Sequence, residues 1–593
     1  MCPRSIQQRA NCKSTADDFH ELKPLHVTWR INEQQRASYL DQLSTFSGVL
    51  PSTFMLPSRL SISRYVAGFV DGLSHHFPFI HMPTFSITAN PDAPELVLAL
   101  MAVGAQYRYE RRSATALYHA ARAIISERIR RCELPDPHAA SFHERLPRTP
   151  PNLLATTRAI LLLAKFAAWQ ASPALIRESL SYRALLAHSV RRAGLSKSDD
   201  DDNGGRMDDN AWLRWARAET DRRTKLCVFC FLNLQELAFG LEQPVLLANE
   251  IGDIRLPSSC REWLAEGQAD WLQARMAGPA PVGFRHALAC VLVGPRRDSG
   301  EVSEALDDVP VTSPFGNFIL VHALLQRISL ARQLALPSTT PSSLRPADVD
   351  ELDAAFDRWR LEWQRAPESV LDVRRPKDSL AFASTALFGL AHVRLVFSLG
   401  QTPHAAAAAV YARFQACDAQ AVAEAALAAA PPPRRGPHVL KALLHAVHAL
   451  NIPVQVGVDY LARCQAFFWS VQHGFCSFEC AVFLSRWLFV LAAEEEEELD
   501  ARPLSEMEKE ISSWISRVVQ EAGDSLDEEA TLGFDKCATQ GERFRVLGVA
   551  VARLWARQFR TSNTAWPMMK LVGEALERPL SRPYVSLLRT CYY

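Results

Sequence analysis

From Asn210 to Leu241 the chain reads NAWLRWARAETDRRTKLCVFCFLNLQELAFGL, with no proline and no glycine before Gly240. Apolar residues recur through it every three or four positions, the period of one long helix. Trp212 and Trp215 stand three apart on one face, and Glu219 can reach Arg222 at i+3 or Arg223 at i+4. An arginine at such a partly buried position pins neighbouring carbonyls or carboxylates rather than doing chemistry.

The same period runs through most of the chain. SRYVAGFVDGLSHHF places Tyr65, Phe69 and Leu73 on one face. PELVLALMAVGAQY starts with Pro94 in its first turn and carries an apolar surface broad enough to be buried all round. SATALYHAARAIISERIRR follows, with Ser113 expected as its N-cap and an Arg-rich last turn that suits the helix dipole. LLATTRAILLLAKFAAWQ and ALIRESLSYRALLAHSVRRAGL form another pair, the second stopped by Gly194. Beyond residue 300, helical patterns continue through VDELDAAFDRWRLEWQRAP, an Ala-rich pair around Ala405 to Ala430, a PPPRRGP linker and a helix closed by Glu494 to Glu498. Strand-like alternation between hairpin turns is essentially absent, and no fixed repeat supports a solenoid. The expected fold is all-α: a polar tail over residues 1–60, a helical domain over 61–300, and a C-terminal helical region over 301–593 that packs with it.

Composition narrows the function classes. The 593 residues suffice for more than one domain, and 48% apolar content describes a globular chain. Lys+Arg and Asp+Glu both total 65, so net charge offers no attraction to nucleic acid or an anionic membrane. The longest apolar runs fall short of the roughly 18 residues of a membrane span, and no membrane partner is expected. The thirteen cysteines are scattered and lie mostly in apolar helical patterns, which suits a reducing intracellular compartment. Asp199 to Asp202 and Glu494 to Glu498 read as solvated segments.

No phosphate-cradling loop, dinucleotide fingerprint or nucleophile elbow occurs in a strand–turn–helix setting, so the chain is not expected to be an enzyme. Three groups invite a metal reading. Cys227 and Cys230 form a CxxC, but no second ligand pair lies near and both sit in an apolar helix. His473, Cys476 and Cys480 share one helical face, with Cys464 upstream, inside a stretch rich in Phe. His75, His76 and His81 crowd FPFIHMPTF, where Asp71 is the nearby carboxylate. In that motif Phe77, Phe79 and Phe85 dominate and Pro78 and Pro83 fix the backbone. Packing is the expected role in all three, with no cofactor held by this chain.

The order of these motifs resembles the fungal-specific transcription factor domain, the middle region of fungal zinc-finger and zinc-cluster regulators. HHFPFIHMPTF, PELVLALMAVGAQY, AILLLAKFAAW, SVRRAGL, WLRWARAETDRR and NEIGDIRLPSS follow one another as the family's motifs do, over roughly residues 60 to 270. FECAVFLSRWLF and VLGVAVARLWARQF are similar in style further on. Met82 stands where a basic residue is common, and Glu242-Gln243-Pro244 where a Gly-Arg-Pro turn is frequent. The resemblance implies a nuclear regulator of RNA polymerase II genes, with the clasp residues Phe77 to Phe85 and Trp212 to Arg223 serving structure. It also implies the transcription machinery, a small-molecule effector and a second copy of the chain as partners. Cys2 and Cys12 are the only cysteines before Cys132, which cannot build the family's zinc module. Zinc and direct DNA contact are therefore expected only through a module missing here, encoded upstream of Met1, or through a partner protein. The alternative is a non-DNA-binding co-regulator or helical scaffold.

Overall fold

The computed structural model describes residues 30–131, 152–195, 210–241, 243–294, 310–334, 344–369, 371, 379–397, 399, 414–429, 433, 435–468, 470–496, 503–526 and 537–577. Among the described residues the fold is all-α, as expected, and no strand forms. An isolated antiparallel bridge pairs Arg255 with Gly283. The whole Asp199–Gly205 loop, the stretch from Ala405 to Arg413, Glu242 and Glu497–Glu498 lie outside the described residues.

The expected tail over residues 1–60 gives way to structure from residue 30 onward. Helix α1 (Glu33–Ser44) opens on an Asn32 capping box with Gln35. Tyr39 and Leu43 are buried, and the Tyr39 hydroxyl donates to the Pro94 carbonyl at 2.8 Å. Tyr39, Leu43 and Phe46 fall four and three apart, enough for one apolar stripe on an otherwise polar segment. The first 29 residues lie outside the described set.

Helix α2 (Arg59–Phe69) runs through a π turn, Val70–Ser74, into the FPF turn. It packs on α3 (Pro94–Tyr107), every residue of which is buried. The two backbones touch because Gly104 has no side chain: a Cβ there would lie 1.8 Å from the Tyr65 carbonyl oxygen. Helix α4 (Arg111–Arg130) begins two residues before Ser113, so the expected cap is not one. The residue at the cap position, Glu110, instead bonds Arg64 and Tyr65 on α2.

Helices α5 (Leu153–Ala168) and α6 (Pro173–Arg192) form a hairpin, and Gly194 beyond α6 takes φ +84°. Helix α7 (Ala211–Phe239) is the long helix read from the sequence and ends on Gly240 in the left-handed conformation. Three short helices follow: α8 (Cys260–Trp263), α9 (Gln268–Ala277) and α10 (Phe284–Val293). Then α11 (Pro314–Leu334) runs buried beside α7, and α12 (Pro346–Arg365) and α13 (Ser379–Val396) pack against α11.

The C-terminal region comprises α14 (Ala419–Ala429), α15 (Pro437–Val456), α16 (Val458–Phe468), α17 (Val471–Glu496), α18 (Glu506–Glu521), α19 (Gln540–Arg560) and α20 (Pro567–Glu577), with α17 at its centre. Helices α15 and α17 are long and apolar enough by composition to cross a bilayer, which the sequence reading missed. The apolar window of α17 is 89% buried inside the protein, the position of a core helix. The buried Arg394–Glu479 pair joins α13 to α17, and Arg394 also reaches the Leu237 carbonyl on α7 at 3.2 Å.

Candidate functional site

The two motifs that stand out in the sequence meet in space. The turn after α2 lays Phe77, Pro78, Phe79 and His81 into the core, while Pro83 and Phe85 stay half-buried. Phe77 and Phe79 meet edge to face at 6.0 Å, and the Lys165 ammonium sits 3.6 Å from the Phe77 ring centroid. A single 3₁₀ turn, Met82–Thr84, lets the Thr84 hydroxyl pair with His81 Nδ1 at 2.9 Å. The imidazole then stands among three indoles, 4.7 Å from Trp263, 6.0 Å from Trp212 and 6.1 Å from Trp215.

One turn further along α7 lies a buried ion pair. Arg223 Nε donates to Glu219 at 2.7 Å, with the two side chains 1% and 0% exposed. The same guanidinium donates to the Ser258 carbonyl at 2.9 Å and, at 3.5 Å, to the Pro78 carbonyl of the aromatic turn. Its face covers Trp263 at 3.9 Å. Glu219 accepts in turn from the Ser258 N–H at 2.9 Å and from Arg222. Arg223 thus ties the turn, α7, the segment before α8, and α8 itself at one point.

The electrostatics follow from this packing. Burial alone would raise the Glu219 carboxyl, but Arg222, Arg223 and the Ser258 N–H overcome it and hold it below the usual range. Burial first, and then the Arg223 charge, push His81 down to about 4. The imidazole is neutral at physiological pH and pairs with the Thr84 hydroxyl, and the carboxylate is saturated with donors from Arg222, Arg223 and Ser258. This arrangement locks elements together.

The metal readings can be placed as well. Cys227 and Cys230 are fully buried on α7, and burial pushes both thiols up. His473 stacks on Phe382 at 4.8 Å and pairs through Nδ1 with Ser470, above the buried Cys476 and Cys480. Cys464 lies half-buried on α16. Asp71, the carboxylate near His75 and His76, is bound by Arg108. Among the described residues no group of three or more His, Cys, Asp or Glu side chains is placed to hold a metal ion.

Sequence reasoning missed Ser258, Trp263 and Lys165 as members of the clasp. NEIGDIRLPSS marks a stop, but nothing in it shows that Ser258 closes on Glu219 from 39 residues away. Beside the clasp, Ser259, Arg261, Thr312, Ser313 and Glu368 help to line a cleft of about 50 Å³. That space suits a few waters, well below the several hundred Å³ of an organic ligand site.

The family described as the fungal specific transcription factor domain matches residues 66–361. The family described as the fungal transcription factor C-terminal domain matches residues 408–578. The first match continues through α11 and nearly all of α12, past the division expected at residue 300. No curated protein and no solved structure matches the chain.

Proposed function

The chain belongs to the fungal specific transcription factor domain family and is a fungal transcription regulator; from that premise we propose that it controls RNA polymerase II genes in the nucleus. Families of such domains are in general not enzymes, and the clasp is built like a structural joint. The observation that carries the reading is the tandem match, a regulatory domain followed by its C-terminal companion, with Arg223 and Glu219 buried at the meeting point of the first domain's two strongest motifs.

In this reading the helical units receive a signal and pass it to the transcription machinery. Contact with DNA belongs to a zinc-bearing module or a partner protein, and zinc belongs to that module rather than to Cys476 or Cys480. An effector and a second copy of the chain are the further partners. The test is to fuse the full chain to an unrelated DNA-binding domain and measure a reporter gene carrying its site. A several-fold rise or fall in transcript relative to the DNA-binding domain alone is the expected result. A fusion that accumulates in the nucleus and leaves transcription unchanged would overturn the proposal.

A further inference from the structure

Between α19 and α20 the chain leaves the helical path over Ser562–Trp566, inside the second matched unit, and lies against the first. The stretch is stiffened from within by its own hydroxyls. The Thr564 N–H donates to Ser562 Oγ at 3.0 Å, and the Trp566 N–H to Thr564 Oγ1 at 3.1 Å. Asn563 ties it back to α16 through the Ala462 carbonyl at 3.1 Å.

Its outward contacts fall on the first unit. Gln106 Nε2 donates to the Ala565 carbonyl at 2.5 Å, and Tyr109 donates to the Asn563 carbonyl. Trp566 Nε1 donates to the Tyr107 hydroxyl at 3.1 Å, with the two rings perpendicular at 5.5 Å, and Phe166 lies 6.3 Å away. Just beyond, the Met568 N–H donates to the Trp169 carbonyl at 3.2 Å.

Two turns near the slot that receives this stretch hold left-handed backbone. Among the described residues only Tyr109, Ala171 and Cys417 are non-glycines with positive φ. Tyr109, at φ 60°, forms the turn between α3 and α4 and itself bonds the stretch. Ala171, at φ 49°, lies two residues past Trp169 in the turn between α5 and α6. Left-handed backbone is unfavourable for a residue with a Cβ and persists where surrounding contacts impose it.

We propose that Ser562–Trp566 is a conformational strap, which seats Trp566 beside Tyr107 and holds the turns at Tyr109 and Ala171 in left-handed backbone only while it is seated. Strain in the receiving turns favours release, and the buried indole with its hydrogen bonds favours closure. The rest of the second unit keeps its own core, since α17 and α19 pack on each other, and Arg394 links α13 to both Glu479 and Leu237 independently. Release is therefore local, a sub-global opening of the seam that does not depend on what the protein regulates.

Native-state hydrogen exchange on the full chain tests this, comparing the Met568 amide with amides of α17. In the wild type Met568 should exchange faster than α17, by opening locally. Ala171→Gly should slow Met568 about three- to tenfold, because glycine takes that φ without strain. Trp566→Ala should speed it by about a hundredfold or more and leave α17 unchanged. Met568 and α17 exchanging at one common rate in the wild type would overturn the strap. So would an Ala171→Gly chain in which Met568 exchanges as fast as before or faster, and this holds even if Trp566→Ala does not fold.

Discussion

Glu219 and Arg223 show how unequal the two ways of removing a buried pair are. Each is almost fully buried, and each satisfies the other together with backbone groups of Ser258. Arg223→Ala would leave the buried carboxylate with Arg222 as its remaining counter-charge and strip the Ser258 and Pro78 carbonyls of their donor, and the expected loss is about 3 kcal/mol in denaturant unfolding. Replacing both, as Glu219→Leu with Arg223→Met, should cost clearly less than the sum of the single changes. An additive cycle would show that the pair does not act as one unit. Two other buried groups give pH dependences of opposite sign. Unfolded His81 titrates near 6.5 and the folded imidazole at about 4, so between those values the unfolded chain holds the extra proton. Its contribution to stability is complete above pH 6.5 and falls as pH drops toward 4. His81→Gln should flatten that acid limb in melting temperatures taken from pH 7 to 5. Glu362 on α12 is 1% exposed, and burial drives it up to about 8 against the opposing pull of Thr312 and Arg365. Here the folded chain holds the extra proton from about 4.5 to 8, so stability is complete at the acid end and falls as pH rises. Glu362→Gln should melt higher than the wild type at pH 8, and the gain should shrink at pH 5.

Among the elements, the contact between α2 and α3 is the least forgiving. Gly104→Ala would place a Cβ against the Tyr65 carbonyl and force the two helices apart, with an expected cost of about 1–3 kcal/mol or more. Gly48→Ala is the control: nothing lies within 4 Å of its added Cβ, and its melting temperature should stay close to that of the wild type. Elements of this kind were legible where local rules decide them. Pro94 opens α3, Gly194 follows the end of α6 and Gly240 ends α7, as periodicity and capping chemistry require. Helix α1 escaped because its apolar stripe is three residues on a polar background, and its helix is secured by packing of Tyr39 on α3. The clasp was legible as two separate motifs but not as one site. Pro78 and Arg223 are 145 residues apart, and no local pattern encodes that Ser258 and Trp263 complete their contact.

For the whole molecule, neutrality is the property that reaches furthest. Equal numbers of basic and acidic residues, and a fold whose described arginines largely face carboxylates or carbonyls, offer little to a phosphate backbone. The full chain should show no sequence-specific nanomolar binding when a random duplex library is selected against it at physiological salt. An enriched motif confirmed by fluorescence anisotropy would move DNA recognition into these helices.

The strap also sets an order in time. Gln106 donates to the carbonyl of Ala565, 459 residues later in the chain. At roughly 5–20 residues per second, the ribosome needs about 25–90 s to make the intervening polypeptide. Throughout that interval the slot at Tyr107 and Trp169 stands without its indole, and the amide of Gln106 without its acceptor. The first matched unit thus emerges long before the segment that fills its slot. Its half-made surface is exposed to chaperones and proteases until Ala565 and Trp566 have been made.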